Sequence, residues 1–273
     1  MKEFFGFGGY QREAEGYFSW QHLTFVTSLM VVMITLAVFI GLLYKNKSEN
    51  KKNVPLIVGA ILIDSFELFK IVIMCFRSSD PFDWLYNLPL FLCSIQLITI
   101  PMAAFCKGRL KEASLDFVMM FGMLGALLGT YFAGMNYACY PVLSFDNVVS
   151  GITHSISGFC SLYIMISRMN SMKKSNMIFT YGIFTGFCIT AYIVNHIVDY
   201  NYMFLMTPDG TPFEIVYSFV SGNKVLYPVS VAFLMLFYIF IYYGVYYMIT
   251  RLISSSRKKK TAIEKNFEYV KNM

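Results

Sequence analysis

The sequence predicts an all-α fold, a polytopic bundle of seven transmembrane helices with its N-terminus outside and its C-terminus cytoplasmic. Three observations lead there. The chain of 273 residues is 57% hydrophobic and only 14% charged, which leaves nothing over for a separate soluble domain. Its apolar residues gather in several runs of about 20, the length a helix needs to cross roughly 30 Å of hydrocarbon. The charges fall between these runs and alternate in sign: Lys45, Lys47, Lys51 and Lys52 in one loop, Asp80 and Asp83 in the next, Lys107, Arg109 and Lys111 after that. Lysine-rich loops stay cytoplasmic, so the alternation orients the bundle. The net charge of +6 then reads as topology and not as a nucleic-acid surface. The six cysteines form no C-x-x-C pair and no His-Cys metal spacing, so neither a disulfide framework nor a metal or other cofactor is expected.

Residues 1–22 form an outer arm that ends in Trp20 and His22, side chains suited to an interface or, for His22, to a site at the rim. The first span, 23–44, is too long for a signal-peptide core. The second, 54–76, opens at Pro55 and carries Asp64, Glu67 and Lys70 at three-residue spacing, along one side of the helix. Ionisable groups at membrane depth face the bundle interior and pair. Glu67 is therefore either half of an ion pair or the polar wall of a pocket.

The third span, 88–106, begins with Pro89 in its first turn, where a helix tolerates proline. It puts Cys93 and Gln96 one turn apart on one face. The fourth, 115–135, holds Gly122, Gly125 and Gly129, a small-residue stripe for close helix packing. The fifth, 148–168, holds His154 among Ser150, Thr153, Ser157 and Ser161. A histidine there serves either as an interhelical hydrogen-bonder or as a base.

The sixth span, 177–200, closes on a polar turn of Asn195, His196 and Asp199. Residues 201–225, with a turn at Pro208, Asp209 and Gly210, form a cap over the outer face. The seventh, 226–250, leads into a basic cytoplasmic tail, 251–273, suited to anionic headgroups at about 1 kcal/mol per charge. At about 1.5 Å per residue, Cys93 lies roughly 8 Å and His154 roughly 9 Å below the outer rim. All three histidines thus gather in the outer half.

The segment Asn87-Leu88-Pro89-Leu90-Phe91-Leu92-Cys93-Ser94, the mid-helix His154, and Asn201-Tyr202-Met203-Phe204-Leu205 followed by Pro208 resemble the signature segments of the YwaF-like family of bacterial integral membrane proteins. That family is similar to a vertebrate transmembrane acyltransferase that installs polyunsaturated acyl chains into ether phospholipids. The resemblance implies a multi-pass protein of the cell membrane, with Cys93 and His154 as the residues that carry the reaction. Phe91 departs from the pattern, which has a polar residue there.

Residue chemistry permits such a reaction. A thiolate activated by a neighbouring imidazole can take an acyl group as a thioester and pass it to a lysolipid hydroxyl. His22, Glu67, Gln96, Asn195, His196, Asp199, Asn201 and Tyr202 would contact the substrate, and the partners would be membrane lipids: a phospholipid acyl donor and a lysophospholipid. The competing expectation is a transporter or channel that binds a cation or polar solute through Asp64, Glu67, Lys70 and Asp199. The sequence has no internal repeat in its favour. A third is a non-catalytic membrane protein whose polar residues only hold the bundle together.

Overall fold

The computed structural model describes residues 2–78, 80–169 and 172–271, with side chains described as far as Leu252 and at Ser254. Among the described residues the regular elements are all helical: α1 (Trp20–Tyr44), α2 (Glu49–Arg77), α3 (Gln96–Phe105), α4 (Gly108–Tyr131), α5 (Gly134–Cys139), α6 (Phe145–Ile166), α7 (Lys174–Val198), α8 (Glu214–Phe219) and α9 (Leu226–Lys271), with 3-10 turns at Asp83–Asn87 and Tyr202–Phe204. Among the described residues five stretches are long and apolar enough to cross a bilayer: α1, α4 with α5, α6, α7, and Leu226–Leu252 of α9. The 29 residues of α2 reach about 43 Å, but their charges dilute the apolar run. The basic residues Arg257 to Lys260 of the tail lie outside the described side chains.

Local chemistry sets the helix ends. The Ser19 hydroxyl accepts the His22 N–H at 3.2 Å and caps α1, and Ser144 caps α6 through the Asn147 N–H at 3.4 Å, each satisfying a donor the helix leaves orphaned. Asp146 occupies the first turn of α6, where the helix dipole favours a negative charge. At the end of α7, Asp199 takes the left-handed conformation at φ 54°.

Helix α6 is the centre of the bundle, packed against α1, α2 and α4, with lighter contacts to α3 and α5. Small residues let it approach α4. A Cβ at Gly122 would stand 2.8 Å from the Ser157 carbonyl oxygen, and one at Gly158 2.8 Å from the Cβ of Ala126. Neither glycine has room for a methyl group unless the helices separate. Polar ties fasten α2 at both ends. Tyr163 donates to the Lys52 carbonyl at 2.7 Å and Lys111 to Asn53 at 2.6 Å. At the other end Arg77 meets Asp146 through two 2.7 Å contacts. Tyr10 also donates to Asp146, and the Phe145 N–H donates to the Phe4 carbonyl at 3.0 Å, so the N-terminal arm is bound across the ends of α2 and α6.

Helix boundaries depart from the sequence reading at several places, among them α4, which starts at Gly108 and not at 115. Helix α2 starts at Glu49, not at Pro55, which lies buried inside it. Helix α9 continues past residue 250 to Lys271. The third helix is the largest difference: it begins at Gln96 and has 10 residues, because Leu88 is extended (φ −65°, ψ 149°), as a residue before proline must be. The chain descends to α3 through turns that include Cys93.

Candidate functional site

The turn that carries Cys93 is closed by its neighbour. Ser94 Oγ accepts the Phe91 N–H at 3.0 Å and donates to the Phe91 carbonyl at 3.1 Å, a local loop that competes successfully with helix. The Cys93 carbonyl then accepts the Gln96 N–H at 3.3 Å, where α3 starts. Cys93 therefore stands at the N-terminal end of a helix, where the dipole favours a developing negative charge.

His154 reaches the same place from α6. Its Nδ1 lies 2.8 Å from the Ser150 carbonyl oxygen and 3.4 Å from Ser150 Oγ. A carbonyl only accepts, so Nδ1 carries a proton, and in the neutral ring Nε2 is the nitrogen that presents the lone pair. Nε2 is buried and has no aligned hydrogen-bond partner. The thiol of Cys93 is nonetheless near enough to the imidazole to interact with it electrostatically.

Both side chains line one cavity of about 270 Å³. Glu67 and Lys70 of α2 form one wall, with Lys70 Nζ 2.7 Å from Glu67 Oε1. Ser150, Thr153 and Ser157 of α6 form another, Asn136 of α5 adds to it, and Tyr86, Asn87 and Tyr200 contribute from the connecting segments. A wider depression beside Lys174, Tyr247 and Arg251 is an open groove on the surface and holds no nucleophile paired with a base. The cavity between the helices is the chemically equipped one.

A sequence model of the TMEM164 family matches residues 17–243. The chain belongs to the TMEM164 family. It is by this family, not by the YwaF-like name, that the chain is assigned. No curated protein and no solved structure matches it. The matched region contains every residue that lines the cavity, so in this TMEM164-family protein the cavity is built wholly from the family's own segments.

The fold separates the other residues singled out from sequence. Glu67 lines the cavity; His22, Gln96, Asn195, His196, Asp199, Asn201 and Tyr202 do not. His22 is fully buried, with its Nε2 3.0 Å from the Thr130 carbonyl, its Nδ1 accepting the Phe18 N–H at 3.2 Å and its ring 3.9 Å from that of Tyr137. Both nitrogens are occupied: Nε2 fixes α1 to α4, and Nδ1 holds the turn that leads into α1. Gln96 opens α3 and is fully buried outside the cavity lining; its Oε1 accepts from Thr99 at 3.2 Å. Asn195 holds the backbone of Tyr202 from both sides, at 3.0 and 2.7 Å. His196 and Asp199 are exposed. Asn201 is engaged with Thr207 and Asp209 within its own loop.

Tyr202 acts one step removed from the cavity. Its hydroxyl accepts the Leu88 N–H at 3.1 Å and donates to the Leu85 carbonyl, bracing the segment that leads to Cys93. Phe91 packs against Tyr202, its ring centroid 5.1 Å away, so an apolar side chain at that position serves the same brace. Tyr200, Tyr86, Asn87, Asn136 and Ser94 line the cavity without having been picked out from sequence. For Ser94 the signal was its place beside Cys93. The others come together only through the fold.

Proposed function

We propose that this TMEM164-family protein is a membrane-embedded acyltransferase that exchanges acyl chains on phospholipids through a Cys93 thioester. The observation that carries the reading is that Cys93 and His154, whose Nδ1 is held by the Ser150 carbonyl and whose Nε2 is left without a protein partner, share one polar cavity. The resemblance of the Cys93 and His154 segments to a phospholipid acyltransferase supports the same reaction. With α2 and the 88–105 segment as two further crossings, the chain traverses the membrane seven times, N-terminus outside and C-terminus cytoplasmic. The lysine-rich loops support that orientation, and the cavity then faces the outer half of a cell membrane.

In the first half-reaction His154 Nε2 takes the thiol proton. The Cys93 sulfur attacks the ester carbonyl carbon of a donor phospholipid, a C–S bond forms, the C–O bond breaks, and His154 returns the proton to the departing lysolipid oxygen. In the second, His154 removes a proton from the hydroxyl of an acceptor lysolipid, whose oxygen attacks the thioester; the C–S bond breaks and the thiol is restored. A volume of about 270 Å³ accommodates a headgroup and the reacting ester but not two acyl chains, which stay in the bilayer. The packed 85–91 segment limits access of free water to the thioester, which favours transfer over hydrolysis.

The test is acyl exchange in vesicles that contain the purified protein, a phospholipid with a labelled acyl chain and an unlabelled lysophospholipid. Labelled acyl groups should appear on the lysolipid, and a hydroxylamine-sensitive adduct should appear on Cys93. Exchange that persists in the Cys93→Ala protein would refute the thioester route. Absence of exchange with every phospholipid class, by a protein that is folded and inserted, would refute the activity.

A further inference from the structure

The glycine stripe on α4 does more than bring helices together. Gly122 meets α6 backbone, but the next two glycines face the cavity pair. A Cβ at Gly125 would sit 3.7 Å from both Cα and Cβ of Cys93, an ordinary contact. A Cβ at Gly129 would run into the Cδ2 and Nε2 atoms of the His154 ring. The imidazole thus occupies the space that any other residue at position 129 would fill. Its Nε2 edge, the edge that carries the lone pair in the neutral ring, is the part that lies over the glycine.

We infer that Gly129 is a positioning residue for the Cys93–His154 pair, an inference that rests on the reading of those two residues as a reacting pair. Three constraints fix the ring. The Ser150 carbonyl holds Nδ1 at 2.8 Å, the α6 backbone fixes Cβ, and the bare surface of α4 at Gly129 admits the far edge. Side-chain wells are discrete, so a methyl group at position 129 does not nudge the ring but drives it into another rotamer, with loss of the Ser150 contact and of the approach to the thiol. At Gly125, one turn away, a Cβ would make only ordinary contact with Cys93, so that position does not constrain the pair.

The experiment reads the thiol and not lipid turnover. Iodoacetamide alkylation of Cys93, in a protein whose other cysteines are serine, is followed against pH for the parent, His154→Ala, Gly129→Ala and Gly158→Ala. The parent should show an inflection that His154→Ala removes. Gly129→Ala should lose the same inflection and react about tenfold more slowly near neutral pH. Gly158→Ala strains the same α4–α6 interface away from the cavity and should lower the melting temperature while keeping the inflection.

If the parent and His154→Ala profiles coincide, there is no reacting pair, and both the reading and the inference fall. If the parent inflection depends on His154 and survives Gly129→Ala, the inference alone falls. Should Gly129→Ala not fold, the Gly129→Ala/His154→Ala protein decides the matter. It should fold as well as His154→Ala, since the obstructing ring is gone; if it does not, the glycine serves backbone packing and the inference is overturned.

Discussion

Arg77, the last residue of α2, and Asp146, in the first turn of α6, face each other fork to fork, with Nη1 and Nη2 each 2.7 Å from a carboxylate oxygen. The two side chains are only 16% and 11% exposed, so the pair is shielded from water and from salt. Its geometry joins the two helices that carry Glu67, Lys70 and His154. Removal of either partner leaves a shielded charge alone, which costs about 3–5 kcal/mol. Arg77→Ala and Asp146→Ala should each lower the melting temperature in detergent markedly. The double variant should be less unstable than the two single losses added together. Additive losses would mean that the two groups do not act as a pair.

The phenol of Tyr202 is the second structural prediction. Replacing it with phenylalanine leaves the Leu88 N–H and the Leu85 carbonyl without their partner, at about 1–3 kcal/mol for buried groups. Those groups hold the segment before Cys93, and the global fold does not depend on them. Tyr202→Phe should therefore raise amide exchange across residues 85–92 more than elsewhere, as read by hydrogen-exchange mass spectrometry. Uniform exchange over the whole bundle would remove Tyr202 from its bracing role.

How much of this was legible beforehand depends on what each residue reports locally. The apolar runs placed α1, α4, α6, α7 and α9, because a lipid environment imposes composition on every residue of a span. Pro89 was read as a first-turn proline, a correct rule applied to the wrong structure: with Leu88 extended and Ser94 closing a turn, the helix starts seven residues later, at Gln96. Gln96 thus opens α3 outside the cavity lining, while Ser94 lines it. His22, at the entrance to the first span, and His154, inside the fifth, are both candidates for the site from sequence. Only the tertiary partners Thr130 and Tyr137 distinguish them. The stripe of Gly122, Gly125 and Gly129 was visible as packing, but its contact with His154 needs the pairing of α4 with α6, which no local pattern encodes.

The N-terminal arm carries a pH dependence. Burial, and then the hydrogen bond to Asp146, push the Tyr10 phenol up to about 12 from an ordinary value of about 10. Its folded value thus exceeds its unfolded one. The contribution is fully present below about pH 10 and is lost as pH rises through about 12. The arm should detach over that window, seen as proteolysis at residues 2–18, while Tyr10→Phe should show no corresponding step. A difference titration of tyrosinate absorbance between the two proteins should give a single late-titrating phenol; titration of that phenol at the ordinary value would show that the arm is not held by this bond.

Asp64 and Glu67 lie one turn apart on α2 and look onto different surroundings. Asp64 is exposed and does not line the cavity, whereas Glu67 lines it and is bound to Lys70 at 2.7 Å. A path for a cation across the membrane would draw on both carboxylates, while an enzyme site in the cavity draws on Glu67 alone. Asp64→Asn should consequently leave acyl exchange within about twofold of the parent, the range of substitutions away from any packed feature. Glu67→Gln frees the Lys70 ammonium beside Cys93 and His154, to which it is electrostatically coupled, and should reduce exchange at least about tenfold while destabilising the fold by several kcal/mol. Glu67→Gln with Lys70→Met removes the stranded charge and should recover the stability in part. Both carboxylate variants are to be compared for exchange and for cation flux in the same vesicles. Flux through the parent that Asp64→Asn abolishes, with exchange absent throughout, would replace the enzyme with a permeation path.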